Sequence, residues 1–272
     1  MLSYPFMQNA YLAGTIISII AGIMGVFVVA RNMSFLTHTL SEIGFAGAAF
    51  GIFMGWPPID GMLIFTLVSS IGVGELGAKS SRRENSISAI SSLFIGLGIL
   101  FLSLSQKNAN YATNILFGSV IGISHQNVVQ MVTLSIFVLL VLLAIFRFLK
   151  FDSYDAIGSK VEGLWTRTLS IAFLILLALS VSVSAQIVGS LLIFVLLTLP
   201  AAAAKYLVHT VWGMALVAVI LALLGVWVGL YLSYITNLPV SFFISAIESA
   251  FYGLSLFYNY VQEKGLNTQS AD

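Results

Sequence analysis

Apolar runs of about twenty residues follow one another along this chain, separated by short clusters of Gly, Pro, Asn and charge. At 1.5 Å per residue, about twenty residues cross the roughly 30 Å hydrocarbon layer of a bilayer as a helix. The pattern predicts spans at 10–30, 36–54, 59–77, 87–104, 126–146, 166–184, 187–204, 211–235 and 240–260. That is nine spans, with about eight to ten as the working range for runs of this length. Residues 111–124 (YATNILFGSVIGIS) are apolar but too short to span and hold two glycines, so they read as a re-entrant half-helix facing the outside. No linker, low-complexity tract or 20–50-residue repeat interrupts the series. The expected architecture is therefore one all-α integral membrane domain over 1–272, a polytopic helical bundle with two cytoplasmic loops of any size.

Composition carries the same conclusion. Hydrophobic residues make up 59% and charged residues 8%, against about 45–50% and about 25% in a soluble domain. Too little polar surface remains to face water all round, which excludes a soluble globular enzyme and makes the lipid bilayer a partner. A net charge of +1 gives no basic face for nucleic acid. With no cysteine there are no disulfides, thiolate metal sites or cysteine nucleophiles. The first apolar run has its flanking charge, Arg31, behind it and no small-residue cleavage site, so it reads as a span and not as a signal peptide.

Charge sets the orientation. With the N-terminus outside, nine spans place Arg31, Lys79, Arg82, Arg83, Arg147, Lys150, Lys160, Arg167, Lys205 and Lys264 in the cytoplasm, ten of the eleven basic residues, with only Lys107 outside. The C-terminus is then cytoplasmic. ATP-driven transport needs a Gly-rich phosphate loop ending in Gly-Lys-Ser/Thr, and the chain contains no Gly-Lys dipeptide. Any ATPase must be a separate polypeptide, and the chain itself is not an enzyme.

Polar residues within the apolar runs are the candidates for function. His38 and Glu42 lie four apart in FLTHTLSEIGFAGAAFG, on one face of the second span. A carboxylate at mid-membrane costs about 2.5–3.5 kcal/mol on insertion scales and is a functional hypothesis by default. Imidazole plus carboxylate suits zinc, manganese or iron, and two ligands from one helix are too few to close a site, so a second copy related by a two-fold axis would complete it. The alternative is that His38 and Glu42 satisfy each other. Gly44, Gly47, Ala48 and Gly51 on the same span read as a helix-packing stripe. Glu248 reads as a structural hydrogen-bonding group ahead of a ligand, Glu75 as snorkelling or pairing with Lys79, His125 as a helix start in a wet outer loop ahead of a contact for an incoming ion, and His209 as solvated beside Lys205. The mixed-charge segment KFDSYDAIGSKVEG (150–163) reads as either a docking helix for a soluble partner or a plain connector.

Taken together, VVARNMSFLTHTLSEIGFAGAAFG (28–51), SRRENSISAISSLFIGLGILFLS (81–103), NILFGSVIGIS (114–124), FDSYDAIGSKVEG (151–163), QIVGSLLIFVLLTLPAAAAKYL (186–207) and YLSYITNLPVS (231–241) resemble, in this order, the permease subunits of bacterial ABC importers for zinc, manganese and iron. The resemblance implies a type II importer-like permease in the bacterial cytoplasmic membrane, working as a homodimer over two ATPase subunits. It also implies an extracellular metal-binding lipoprotein or periplasmic protein that delivers the ion. A coupling loop at about 149–164 would meet the ATPase, with Asp152, Asp155, Ala156 and Gly158 as its candidate residues. Family members carry Asp and, four residues later, His on the second span; here His38 stands in the Asp position and Glu42 in the His position. The implied function is import of a divalent metal, zinc or manganese before iron, with no tightly bound cofactor and ATP hydrolysed by the separate subunit. The rival readings are a permease for a metal chelate such as a siderophore, whose path should be wider and need no His/Glu pair, and an ATP-independent secondary transporter.

Overall fold

The computed structural model describes residues 4–76, 83–105, 115, 116, 118, 125–155, 158 and 165–269. Among them the chain forms nine helices: α1 (Pro5–Ala30), α2 (Ser34–Met54), α3 (Pro58–Leu76), α4 (Arg83–Leu104), α5 (His125–Tyr154), α6 (Thr166–Val188), α7 (Ser190–Leu207), α8 (Val211–Thr236) and α9 (Val240–Gln269). Each expected span falls on one helix. Seven helices are long and apolar enough by themselves to cross a membrane, namely α1 and α4 to α9. The stretch 111–124 lies outside the described residues apart from 115, 116 and 118, as do Lys79, Lys107 and Lys160.

The breaks have local causes. Pro5 starts α1 and Pro58 starts α3, positions where a missing N–H is no loss. Gly55 ends α2 at φ 78°, and Gly189 divides α6 from α7 at φ 89°, ψ 151°, a region essentially closed to residues with a Cβ. Only three residues join α1 to α2, with Asn32 at φ 54° and the Met33 N–H donating 2.8 Å back to the Val28 carbonyl. This turn closes the last carbonyls of α1 in the manner of a Schellman cap. Helix α5 runs on to Tyr154, eight residues beyond the apolar run that announced it, because Leu142, Phe146 and Leu149 keep burying one face. The loop expected from residue 149 therefore begins only after Tyr154.

Helices α1, α2, α6 and α7 form the centre. Helix α1 lies against α5, α7 and α8; α2 against α3, α4 and α7; α3 against α6; and α9 against α7 and α8. The buried cluster runs through Ile17, Met24, Phe27, Leu40, Phe173, Leu177, Leu196 and Leu197. Large apolar side chains on the outside, such as Leu93, Ile99, Leu140, Leu216, Phe242 and Phe257, form the surface lipid would cover. Tyr4 and Tyr234 meet at one end of the bundle, and Trp165 and Trp212 are exposed at the starts of α6 and α8, the amphipathic residues expected at membrane interfaces.

Close crossings at glycine hold the helices together. Gly47 on α2 and Gly61 on α3 each leave no room for a Cβ against the other's carbonyl oxygen, so the small-residue stripe of α2 does serve packing. At the crossing of α1 and α8, a Cβ on Gly22 would stand 2.6 Å from the Val219 nitrogen and 2.7 Å from its Cα. Backbone cannot rotate away, so Gly22→Ala should force these helices apart. We expect a loss of about 1–3 kcal/mol from overpacking, read as a fall in the thermal midpoint of the detergent-solubilised protein followed by size-exclusion fluorescence. Gly96→Ala, where nothing lies within 4 Å, should leave the midpoint unchanged or slightly raised.

Candidate metal path and coupling region

Helix α2 presents His38 and Glu42 one turn apart, as their spacing requires. His38 Nδ1 lies 3.4 Å from Glu42 Oε1, too long for a strong hydrogen bond, with the side chains 34% and 10% exposed respectively. The imidazole is thus the open member of the pair and the carboxylate the inner one. Its ring stacks parallel to Phe35, centroids 6.5 Å apart, and meets the edge of Phe194 from α7 at 5.0 Å. Glu42 Oε2 is buried and accepts no hydrogen bond from any described residue. A buried carboxylate oxygen without a donor is costly, and His38 does not offset that cost at Oε2. Among the described residues no three His, Asp or Glu side chains converge, and cysteine is absent from the chain.

Polar groups nearby follow a different rule. Thr37 donates to the Met33 carbonyl at 3.1 Å, Ser41 to Thr37 at 3.0 Å and Thr198 to Phe194 at 2.7 Å, each returning its hydroxyl to its own helix. Glu42 has no such outlet. Glu248 on α9 is fully buried and, contrary to the structural hydrogen bond expected from sequence, neither of its oxygens has a hydrogen-bond partner among the described residues. Its carboxylate instead fills the notch left by Gly225 on α8. His209 and Lys205 are exposed, as expected, while the side chains of Glu75 and His125 lie outside the described residues.

The candidate coupling residues separate into two kinds. Asp155 follows the end of α5, and its Oδ1 accepts the Gly158 N–H at 2.8 Å, a local turn in which a Cβ on Gly158 would collide with the carboxylate. Asp152 points the other way: its Oδ2 is paired with Arg31 Nη2 at 2.7 Å, the two side chains only 12% and 7% exposed. Arg31 Nε also donates to Ser153 Oγ at 2.8 Å and Nη1 to Ser170 Oγ at 3.3 Å, and the guanidinium lies 5.0 Å over the ring of Phe173. Ala156 lies outside the described residues. Sequence reading treats Arg31 only as a flanking positive charge, because its partner stands 121 residues away and no periodic signal links them.

The structure is thus a lipid-faced helical bundle that carries a half-open His/Glu pair on α2. The family model described as the ABC 3 transport family matches residues 3–259, and the chain belongs to that family. It is 28% identical over 269 residues to the manganese import system permease protein ScaB of Streptococcus parasanguinis, covering 98% of this chain and 96% of that one. With the manganese transport system membrane protein MntC of Listeria innocua it shares 30% identity over 240 residues, 88% of this chain and 85% of the other. Among solved structures, PsaBC from Streptococcus pneumoniae in complex with Fab superposes with a TM-score of 0.85 at 25% identity, covering 93% of this chain and 92% of that chain. The protein is accordingly a multi-pass membrane component of an ABC transport system, a permease and not the ATP-hydrolysing part.

Proposed function

We propose that this chain is the membrane-spanning permease of an ATP-driven importer of divalent metal, with manganese ahead of zinc and iron, and that His38 and Glu42 line the ion's path. The observation that carries the reading is the unpartnered, buried Oε2 of Glu42 beside a half-open imidazole. A carboxylate with spare capacity and an imidazole nitrogen make a borderline set suited to manganese, iron or zinc. Manganese takes precedence because the relatives ScaB and MntC are named for it. Two ligands from one chain bind weakly, which suits a path that must release what it admits. A second copy across a two-fold axis, in a type II arrangement, would bring the ligands to four.

The same reading places nine spans in the cytoplasmic membrane, the N-terminus outside, and the segment after Tyr154 against an ATPase dimer that hydrolyses ATP beneath two permease copies. A separate metal-binding lipoprotein or periplasmic protein delivers the ion from outside. The charge distribution supports this orientation, and the hydrogen bond from Gly158 N–H to Asp155 supports a role for these two residues in the contact.

Three experiments test these elements. Glu42→Gln keeps size and hydrogen bonding but removes the charge; manganese uptake should fall about tenfold or more, in line with the roughly 1.5–3 kcal/mol of a charged hydrogen-bonding group, while the protein inserts and binds its ATPase. Uptake at the parental rate would leave Glu42 a structural partner of His38. In intact cells, a cysteine replacing Ser81 should react with impermeant thiol reagents only after the membrane is opened, and labelling from outside would reverse the orientation. Gly158→Leu should break the Asp155 turn, so that the ATPase no longer co-purifies at parental stoichiometry although the permease is made; unchanged co-purification and uptake would reduce 155–164 to a connector.

A further inference from the structure

One side chain ties the end of α5 and the start of α6 to the helix that carries His38 and Glu42. Arg31 caps the C-terminus of α1, where its charge also complements the negative end of the helix dipole. Its guanidinium binds Asp152 and Ser153 in the last turn of α5, and Ser170 and Phe173 in the first turns of α6. These four residues stand on either side of 155–164, so a single planar group bridges the segment's entry and its exit. On its other side Arg31 is continuous with a tight turn: Asn32 is left-handed, Met33 N–H bonds Val28, and Thr37 N–H bonds the Met33 carbonyl. Helix α2 starts at Ser34, and Phe35 and His38 follow within its first turn and a half. Apart from this turn α1 and α2 scarcely touch, so a displacement of Arg31 reaches α2 through the turn and not through a packed face.

We propose that Arg31 is the positioning residue that couples movement of the end of α5 and the start of α6 to α2 and the His38–Glu42 pair. The inference rests on the permease reading above. Asp152, one of the candidate coupling residues, then acts through Arg31. The chemistry requires arginine: a rigid fork engages a carboxylate and two hydroxyls at once while its face lies on an aromatic ring, whereas a lysine ammonium neutralises the carboxylate but is a point charge on a flexible stem. Charge neutralisation alone would let Lys replace Arg31; bracing does not.

The test uses the complete transporter with its ATPase in liposomes, with manganese as the probe, and reads uptake and ATP hydrolysis in the same vesicles. In Arg31→Lys, manganese moved per ATP hydrolysed should fall about tenfold, within the usual range of coupling between sites, while ATPase co-purification holds. Ser153→Ala and Ser170→Ala each remove one strut and should lower the ratio by about two- to fivefold, the lower part of the range by which single residues modulate coupling. A parental ratio in Arg31→Lys overturns the inference. So do equal losses of uptake and hydrolysis in the two serine variants, which also decide the matter if Arg31→Lys fails to accumulate. A parent complex that hydrolyses ATP and moves no metal instead sinks the permease reading, and this one with it.

Discussion

Inside a bilayer, burying an apolar side chain gains almost nothing, because the lipid outside is as apolar as the protein within. Cohesion must come from close van der Waals contact and from polar groups that find partners. The bundle depends on the first of these at its crossings, where Gly22 admits the backbone of Val219 and Gly47 and Gly61 meet backbone to backbone. Helices that approach this closely cannot slide freely.

The second source of cohesion is spent sparingly. Among the described residues, hydroxyls such as Ser18 and Ser180 bond back within their own helix, to Gly14 and Leu176. A few reach across: Thr66 to Ser182 at 2.8 Å between α3 and α6, and Trp227 Nε1 to Thr15 at 3.0 Å between α8 and α1. Against this background Glu42 and Glu248 stand out, because both bury carboxylate oxygens that no described group satisfies. They differ in surroundings. Glu42 adjoins a half-open imidazole, whereas Glu248 is sealed against Gly225 and fully buried.

Much of this was legible in the chain itself, for identifiable reasons. The spans could be read because hydrocarbon imposes length and apolarity on any helix that crosses it, and the pairing of His38 with Glu42 because a spacing of four dictates a shared face. The packing role of Gly44 to Gly51 followed from residue size. The end of α5 could not be read: Arg147 and Lys150 interrupt its apolar run and stay exposed, yet the helix continues, with Phe146 and Leu149 still buried. Nor could the contribution of Phe194, or the Arg31–Asp152 pair, since both join segments far apart in sequence and leave no periodicity behind. Glu248 was legible as intramembrane but not as unpartnered, which depends on what α8 places opposite it.

The Arg31 bracket also bears on how the protein is made. A chain is synthesised from its N-terminus, so Arg31 exists well before its partner Asp152, which lies 121 residues further on. An arginine is too costly to leave alone in hydrocarbon. Until α5 and α6 arrive, its head group must stay with water or lipid phosphates at the membrane edge, where a lone positive charge helps to fix the direction of the first span. Only after their insertion can the same guanidinium withdraw under Phe173 and become 7% exposed. One residue thus serves first as an address label for the nascent chain and then as a late fastening, and the bundle cannot close around α1 until more than half of the polypeptide has been delivered.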